Sequence, residues 1–217
     1  MSEIERLEAI AFRAWPSAVV HAHKGMLLRA TGGESRRANS GALHACDEEL
    51  SPDEAISVAE AFYKARESSA QFQVGPRAPA GLDAALASRG YGIAALVCVQ
   101  TAALSEVARR SVGRARSVRA EVHATPDAEW IDVEVTRGRY ADIADIFVRL
   151  MIGVAPRAGF AVAHVDGTLA AACLAVCDDD VLVLAAMPRP FRFTRRSASR
   201  HATRTTLRAA FRPSALS

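Results

Sequence analysis

The stretch Gly159-Phe-Ala-Val-Ala-His-Val165 decides the fold together with the residues that follow it, Asp166-Gly167 and Thr168-Leu-Ala-Ala-Ala-Cys-Leu-Ala-Val-Cys177. Both longer runs are apolar and compatible with β-strands. The Asp-Gly pair between them favours a type I′ turn, in which the two central residues take positive φ. The sequence therefore predicts two antiparallel strands connected by a tight turn.

Another apolar run, Val181-Leu-Val-Leu-Ala-Ala-Met187, follows a turn at Asp178-Asp179-Asp180. A continuous apolar run of this length is typical of a central strand that is covered on both faces. An arginine-rich segment broken by prolines comes next, Pro188-Arg-Pro-Phe-Arg-Phe-Thr-Arg-Arg-Ser-Ala-Ser-Arg200. A hairpin, a buried strand and a basic turn that enters a helix can together place a phosphate group at a helix N-terminus.

The order of these elements resembles the GNAT family of acetyl-CoA-dependent N-acetyltransferases. The resemblance implies an α/β fold built on a mixed sheet, the acyl-CoA N-acyltransferase-like fold, with acetyl-CoA as the co-substrate. In the family, the strand that matches Val181–Met187 splays from its neighbour, and its backbone pairs with the pantetheine arm of acetyl-CoA. The resemblance therefore implies that Leu184, Ala185, Ala186 and Met187 bind the co-substrate.

The loop after that strand carries Arg/Gln-x-x-Gly-x-Gly/Ala in the family, and its glycines let backbone N–H groups approach the diphosphate. The matching residues of this chain are Arg195, Arg196, Ser197, Ala198, Ser199 and Arg200. Serines stand where both glycines belong, and serine disfavours positive φ and adds bulk. The loop is therefore expected to be a weakened anion site or no anion site at all.

A second resemblance lies near the N-terminus, where Gly25-Met-Leu-Leu-Arg-Ala-Thr31 predicts a strand and Gly32-Gly33 its turn. Arg36-Arg-Ala-Asn-Ser40 is the predicted start of the return strand. This block resembles the N-terminal segment of a two-lobed GNAT subgroup. In that subgroup, the N-terminal half is a degenerate copy of the acetyltransferase fold packed on the working copy.

The polar residues of this block have two interpretations. Arg36, Arg37 and Asn39 could form a polar cluster that faces the cleft for the acceptor. Alternatively, Asn39 and Ser40 bond to the backbone and stabilise a turn, while the two arginines are solvated. The second interpretation needs no ligand and is the one the sequence favours.

The remaining elements follow from capping signals and from the spacing of apolar residues. Ser51-Pro52-Asp53-Glu54, for example, has the serine N-cap, the N1 proline and the N3 glutamate of a capping box. The predicted helices cover 3–15, 51–66, 81–89, 129–135 and 140–152, and further strands cover 71–74, 91–101 and 118–123.

The predicted organisation has two lobes. Residues 105–117 are polar and basic, so they are the predicted linker between an N-terminal GNAT-like lobe at 1–104 and an incomplete C-terminal acetyltransferase lobe at 118–187. The tail at 188–217 is predicted to be poorly ordered or to form a short helix. Leu207, Ala210 and Phe211 fit one helical face, but several threonines between 203 and 206 are poor helix formers.

Charge is distributed unevenly along the 217 residues, whose net charge is +3. Residues 188–217 contain eight arginines and no Lys, Asp or Glu, so the first 187 residues carry 19 Lys and Arg against 24 Asp and Glu. The tail offers Phe191, Phe193 and Phe211 for stacking on bases, which is too few to predict a nucleic-acid partner. A small-molecule amine is the expected partner, and a homodimer stays an open alternative.

Location and redox state follow from the composition. No apolar run reaches membrane-spanning length, and the acidic N-terminus lacks a signal region, so a cytoplasmic location is expected. The cysteines are Cys46, Cys98, Cys173 and Cys177. Four residues of strand separate Cys173 from Cys177 by about 13 Å, too far for a disulfide. Reduced thiols are predicted.

Two short patterns contain residue types that can bind metal ions. His21-Ala-His23 places two imidazoles on one strand face, but no third ligand follows at a suitable spacing. Asp178-Asp179-Asp180 lacks the further carboxylate of a calcium loop. Both patterns therefore predict solvated surface residues, and no metal is expected.

Catalytic residues cannot be assigned from this chain. In the family, a tyrosine on a helix after the diphosphate loop often protonates the leaving thiolate, whereas this chain has no tyrosine after Tyr140. Three hypotheses follow: an N-acetyltransferase for a primary amine of a small molecule, a catalytically inactive GNAT-like binding protein, or the frame-shifted or truncated product of an acetyltransferase gene.

Overall fold

The computed structural model describes residues 3–32, 35–43, 49–75, 77–111, 118–137, 140–154, 157–178, 180–185 and 205–211. The chain divides into two compact units. Unit 1 comprises Met1–Glu8, Ser17–Gln100 and Arg204–Ser217, and unit 2 comprises Ala9–Pro16 and Thr101–Thr203.

The elements of the described residues alternate between helices and strands. The α-helices are α1 (Glu3–Arg13), α2 (Pro52–Lys64), α3 (Leu82–Ser88), α4 (Leu104–Ser111), α5 (Ala128–Ile131) and α6 (Ala144–Ile152). Short 3-10 helices cover Arg36–Ala38 and Ala141–Ile143, and a π-helix covers Asp132–Thr136. The strands are β1 (Val19–His23), β2 (Met26–Ala30), β3 (Gly41–Leu43), β4 (Gln71–Val74), β5 (Gly92–Val99), β6 (Val118–His123), β7 (Ala158–Val165), β8 (Thr168–Asp178), β9 (Val181–Ala185) and β10 (Thr205–Phe211).

Unit 1 is built on a six-stranded sheet in the order β1-β2-β3-β4-β10-β5. Its strand pairs are antiparallel except for β3 and β4, which are parallel. Helix α2 packs on β2 and α3, and it begins at the predicted cap, where Ser51 Oγ accepts a hydrogen bond from Glu54 N at 3.2 Å. The core of unit 1 is formed by apolar side chains of the sheet and the two helices, including Leu28, Ile56, Phe72 and Leu86.

Strand β10 corrects the prediction of a short helix over residues 200–212. Thr205–Phe211 forms a strand that pairs with β4 on one side and β5 on the other. Pairing on both sides satisfies the backbone groups of the segment, whereas an isolated helix of this length is marginal in water. Thr205 and Thr206, which have a low helix propensity, have a high propensity for β-strands.

Two further differences concern segment boundaries. The strand predicted to start at Arg36 begins instead at Gly41, after the 3-10 helix Arg36–Ala38. Helix α4 occupies Leu104–Ser111 within the predicted linker, and residues 112–117 lie outside the described residues. Its ion pairs, which join Glu106 to Arg109 and Arg110, explain how a polar segment forms a helix.

Unit 2 is built on an antiparallel sheet in the order β6-β7-β8-β9. The predicted hairpin of β7 and β8 is confirmed, and its turn residues Asp166 and Gly167 have φ values of 50° and 79°. Positive φ at both positions is what a type I′ turn requires. Helix α5 packs on β7 and β8, the π-helix packs on β8, and α6 packs on the π-helix.

Aromatic rings fill the space between this sheet and the helices. Trp130 is fully buried and meets Phe160 edge-on at 5.1 Å between ring centroids. Phe147 stacks on Tyr140 at 3.9 Å, and Trp15 lies 5.7 Å from Phe147. Unit 2 therefore has its own core, in which these aromatic rings pack together with buried aliphatic side chains such as Val162 and Leu174.

Strand β9 corrects the prediction of a central strand. It pairs with β8 on one side, and the described part of the chain places no strand on its other side. Its residues alternate between half-buried and exposed, and Leu182 and Leu184 are 46% and 54% exposed. A continuous apolar run is compatible with either position, because the partner strands decide whether both faces are covered.

None of the helices in the described ranges is long and apolar enough to cross a membrane.

Candidate functional site

The outer edge of β9 is the first part of the candidate site. The register of β9 with β8 runs from Val181 opposite Asp178 to Ala185 opposite Leu174. In an antiparallel pair, alternate residues direct their N–H and C=O groups away from the partner strand. Because the described residues supply no second partner, β9 offers a row of backbone donors and acceptors along this edge.

Of the residues expected to bind acetyl-CoA, Leu184 and Ala185 lie at the end of β9. Ala186, Met187 and the expected diphosphate loop lie outside the described residues. That loop comprises Arg195, Arg196, Ser197, Ala198, Ser199 and Arg200. For all ten residues, co-substrate binding stays a prediction.

The π-helix that follows α5 forms the second part of the site. Asp127 caps α5, because its Oδ1 accepts a hydrogen bond from Trp130 N at 2.8 Å. The chain then widens into the π-helix Asp132–Thr136, which changes the direction of the side chains relative to a continued α-helix. Glu134 lies in this π-helix and is buried, with 6% of its surface exposed.

Trp130 attaches this helical segment to the sheet. Its indole Nε1 donates a hydrogen bond to the backbone oxygen of Cys173 on β8 at 3.1 Å. The ring also lies parallel to Phe147, with the centroids 6.4 Å apart. The position of the π-helix against β8 is therefore determined by a hydrogen bond as well as by packing.

Cys173 on β8 contacts the end of β9. Its Sγ lies 3.6 Å from the backbone oxygen of Ala185, to which the thiol donates. Burial raises the pKa of the Cys173 thiol, and the nearby charge of Glu134 raises it further, while the bond to Ala185 acts in the opposite direction. The thiol is therefore neutral at ordinary pH and is not poised as a nucleophile.

The sequence did not identify Glu134 as a site residue. Both Val133 and Glu134 stand at helical spacing from Trp130, so spacing does not decide which of them faces inward, and an inserted π-turn has no sequence signature of its own. The available signal was an acidic residue between two valines, Val133 and Val135, on a segment predicted to pack against the sheet.

Asn39 of unit 1 has the structural role that the sequence favoured. Its Oδ1 accepts hydrogen bonds from Thr31 N at 2.8 Å and Gly32 N at 3.0 Å. Its Nδ2 donates to the backbone oxygens of Gly32 and Ser35, both at 2.9 Å. The amide holds the turn before β3, so it is not available to a ligand. Ser40 likewise accepts a hydrogen bond from Gln73 Nε2 at 2.6 Å.

Next to this turn, unit 1 buries the side chain of Arg29. Burial lowers the pKa of Arg29 to about 10, and the charge of Arg37 adds to the effect. Arg29 Nε donates to Ser17 Oγ at 2.8 Å, and Tyr63 Oη donates to the backbone oxygen of Arg29 at 2.9 Å. The side-chain bond ties β2 to the residues before β1, and the Tyr63 bond ties the backbone of β2 to α2, so Arg29 has a structural role.

The residues weighed as metal ligands lie apart or have other partners. His21 stacks on Phe62, whereas His23 Nε2 lies 3.0 Å from Glu54 Oε1. Asp178 accepts a hydrogen bond from Arg13 Nε at 2.7 Å, and Asp179 lies outside the described residues. Within the ranges described, no group of three or more His, Cys, Asp or Glu side chains could hold a metal ion.

Cys173 and Cys177, the described cysteines of unit 2, form no disulfide, as their spacing predicted. Cys46 and the side chain of Cys98 lie outside what the structure describes.

Comparison with known proteins identifies one family. The model of the family described as "Probable histone acetyltransferase Rv0428c C-terminal" matches residues 1–184. The match ends within β9, so the basic tail lies beyond it. No curated protein sequence matches this chain.

Two solved structures have a similar fold. A GCN5-related N-acetyltransferase from Kribbella flavida superimposes with a TM-score of 0.59 at 14% sequence identity, over 98% of this chain and 96% of that one. A functionally unknown conserved protein from Staphylococcus epidermidis ATCC 12228 gives a TM-score of 0.54 at 8% identity, over 94% and 95% of the two chains. These similarities confirm the predicted mixed α/β fold.

Proposed function

The chain belongs to the acetyltransferase family described as "Probable histone acetyltransferase Rv0428c C-terminal", and from this premise we propose that it transfers an acetyl group from acetyl-CoA to a primary amine of a small molecule. The family match over residues 1–184 carries the proposal. The outer edge of β9, which pairs with no second strand among the described residues, supports it, because an extended pantetheine arm can pair with such an edge as an added strand does.

Acetyl-CoA is proposed to bind along β9. Leu184 and Ala185 contact the pantetheine arm through their backbone, together with Ala186 and Met187. The arginines of the loop, Arg195, Arg196 and Arg200, attract the diphosphate. Because serines replace the loop glycines, fewer backbone N–H groups reach the diphosphate, and we expect weaker binding than a glycine loop provides.

The reaction needs few specialised side chains. The neutral amine attacks the thioester carbonyl carbon, the new C–N bond forms, and the C–S bond breaks to release the CoA thiolate. Holding the amine about 3 Å from that carbon supplies much of the rate. An outward N–H of β9 stabilises the negative charge that develops on the carbonyl oxygen.

The acceptor is proposed to be a small molecule, and a lysine side chain is the second candidate. The description of the family names a histone acetyltransferase, which favours a lysine ε-amine in a protein. Both acceptors are primary amines, so the same chemistry serves either. A direct comparison of small amines with a histone-tail peptide separates the two.

The test measures binding and turnover in the same preparation. Calorimetry with acetyl-CoA reports binding, and release of free CoA thiol reports transfer to each of a panel of polyamines, aminoglycosides and lysine peptides. The matched controls are the same acceptors with acetylated amines. We expect amine-dependent thiol release that is fastest with a small amine.

Two results would contradict the proposal. Faster transfer to the lysine peptide would replace the small molecule by a protein acceptor. Undetectable acetyl-CoA binding at millimolar concentration, with no thiol release, would favour a catalytically inactive relative. The end of the family match at residue 184 is the observation that keeps this second function in view. Sequencing the gene in all frames tests whether the tail is read out of frame.

A further inference from the structure

We propose that a groove between β1 and α2 binds a small carboxylate whose hydrocarbon part is apolar. This β1–α2 groove has a volume of about 350 Å³. Six of the residues that line it come from β1, from α2 and from the turn after α2: Val19, Val20, His21, Val58, Phe62 and Arg66. The groove belongs to unit 1, whereas β9 belongs to unit 2, so this inference is independent of the proposed acetyl transfer.

The spacing of residues along the two elements forms the groove. Val58, Phe62 and Arg66 are four residues apart, so they follow one side of α2 and of the turn that ends it. On β1, His21 lies opposite Leu28 of β2, and its ring stacks on Phe62 with the centroids 6.3 Å apart. A row of side chains from the helix therefore faces the side chains of the strand.

The walls of the β1–α2 groove are largely apolar and remain in contact with water. Val19 and Val20 are 40% and 55% exposed, on a strand that forms the edge of the described sheet of unit 1. Val58 and Phe62 are half-buried, and Leu28, which also lines the groove, is fully buried. A concave apolar surface is stabilised when a hydrocarbon group displaces its water. The walls therefore favour a ligand with an apolar part.

Arg66 gives the groove its positive charge. Its guanidinium carbon lies 3.7 Å from the centroid of the Phe62 ring, and its Nη1 donates a hydrogen bond to the backbone oxygen of Phe62 at 2.8 Å. The cation–π contact and the hydrogen bond hold the guanidinium group at the groove, and they use one of its five N–H donors. The remaining donors are available to a ligand.

The charges around the groove favour an anion. The lining contains no acidic residue, and among the described residues no carboxylate forms an ion pair with Arg66. Two other arginines of unit 1, Arg77 and Arg89, do pair with carboxylates, at 3.0 Å from Glu5 and 2.8 Å from Asp53. A planar guanidinium group binds a carboxylate through two parallel N–H···O bonds. A single arginine beside apolar walls therefore matches a small carboxylate with an apolar hydrocarbon part.

The test uses three probes that share one hydrocarbon part and differ in charge: 3-phenylpropionate, 3-phenylpropionamide and 3-phenylpropylamine. Each is titrated into the full-length protein without acetyl-CoA, and the methyl NMR signals of Val19, Val20, Leu28 and Val58 report binding in the groove. We expect 3-phenylpropionate to bind with a Kd below about 1 mM, and the amide to bind about 10-fold more weakly or worse. The amine should bind most weakly, because Arg66 repels it.

A pair of glutamine variants separates the groove from general electrostatic attraction. R66Q removes the guanidinium group, and K64Q removes the same charge from an exposed residue of α2 that does not line the groove. We expect R66Q to weaken binding of 3-phenylpropionate about 10-fold or more without changing that of the amide, and K64Q to change either by less than about 2-fold. Equal losses in the two variants would overturn the proposal.

Charge reversal supplies a readout that a purely structural role of Arg66 would not produce. Because Arg66 is exposed, R66E should fold, and it should bind 3-phenylpropylamine more tightly than 3-phenylpropionate. An R66E variant that still prefers the acid would overturn the proposal, as would wild-type protein that binds the acid and the amide equally or neither of them at 10 mM. Tighter binding of an extended apolar peptide with a free C-terminal carboxylate would replace the small ligand by a peptide. None of these outcomes bears on the proposed acetyl transfer, which thiol release tests separately.

Discussion

Strands β9 and β10 both differ from what their sequences predict, β9 in its position within the sheet and β10 in forming a strand at all. Val181–Ala185 is a continuous apolar run, yet β9 forms the edge of the described sheet of unit 2. Thr205–Phe211 contains an arginine and two threonines, yet β10 lies between β4 and β5 in unit 1. The position of a strand therefore depends on which neighbouring edges are available, and local hydrophobicity is a weaker guide.

The largest expected effect comes from proline scanning of these two strands. Arg208 and Ala209 are both paired with β4 and with β5, so neither position can lose its N–H without losing a ladder bond. R208P and A209P are each expected to lower the free energy of unfolding of unit 1 by about 3 kcal/mol or more. Hydrogen exchange of the β4 and β5 amides, followed by mass spectrometry, measures the loss.

The matched positions in β9 should behave differently. Of the neighbours Leu182 and Val183, one directs its N–H toward β8 and the other toward the open edge. One of L182P and V183P should therefore be tolerated within about 1 kcal/mol, and the tolerated variant should nevertheless bind acetyl-CoA more weakly. Equal destabilisation by both prolines would contradict the open edge of β9.

Local features of the sequence were sufficient for much of the fold. The hairpin of β7 and β8 was predictable because Asp166-Gly167 specifies the turn between adjacent strands. Helix α2 was predictable because Ser51 and Glu54 mark its first turn. In both cases, residues that are close in sequence determine the geometry.

The errors arise where distant partners decide the structure. The neighbours of β10 lie more than 100 residues away, so nothing within Thr205–Phe211 indicates two available strand edges. Helical spacing allowed either Val133 or Glu134 to face inward, and in the π-helix Glu134 is the one that is buried. The site was predicted in part, because the family resemblance led to β9 but not to the buried carboxyl group of the π-helix.

The next effect concerns a buried acid in unit 1. Glu8 is 6% exposed, and neither of its carboxylate oxygens has a hydrogen-bond partner among the described residues. Burial raises the pKa of Glu8 to about 7, and the charge of Glu5 contributes. The folded state therefore retains a proton that the unfolded state releases near its ordinary value of about 4.5.

The raised pKa of Glu8 makes the folded protein less stable at high pH than at low pH. The stability that the raised pKa of Glu8 provides is fully present below about pH 4.5 and is lost as pH rises through about 7. We expect a decrease on the order of 2–3 kcal/mol in the free energy of unfolding across this window. E8Q should flatten the curve and stabilise unit 1 at pH 8.

Urea titrations at pH 5 and pH 8, read by hydrogen exchange in unit 1, measure this effect. E5Q is the matched control, since Glu5 is on the same helix and forms a surface ion pair with Arg77 at 3.0 Å. That variant should change stability by less than about 1 kcal/mol. An E8Q curve parallel to the wild-type curve would show that Glu8 is charged in the folded protein.

In unit 2, we expect a smaller loss of stability from the substitution of Trp130. W130F keeps an aromatic ring but removes the hydrogen bond from Nε1 to the backbone oxygen of Cys173. Because that oxygen loses its donor, we expect a loss of about 1–3 kcal/mol. Both tryptophans, Trp15 and Trp130, belong to unit 2, so the fluorescence of Trp15 still reports its unfolding in the variant. An unchanged midpoint would show that packing alone holds the π-helix on β8.

The smallest expected effect on stability comes from alanine substitution of one glycine in each sheet. A Cβ added at Gly159 of unit 2 would lie 2.9 Å from Val122 Cγ1, and a Cβ added at Gly41 of unit 1 would lie 3.2 Å from Leu28 Cδ2. Distance alone makes G159A the worse substitution. Val122, however, is 69% exposed and can move toward solvent, whereas Leu28 is fully buried in the core.

We therefore expect the reverse order, with G41A costing about 1–3 kcal/mol and G159A less than about 1 kcal/mol. Urea unfolding of the two variants measures the difference. V122A supplies the control, because removing Cγ1 should eliminate the cost of G159A and leave the small stabilisation of about 0.4–1 kcal/mol that Gly-to-Ala substitution gives at a permissive backbone position. If G159A is the more damaging variant and V122A does not relieve it, the face of the unit 2 sheet that carries Val122 is as tightly packed as the core of unit 1, and the contrast between the two sheets is confined to their edges.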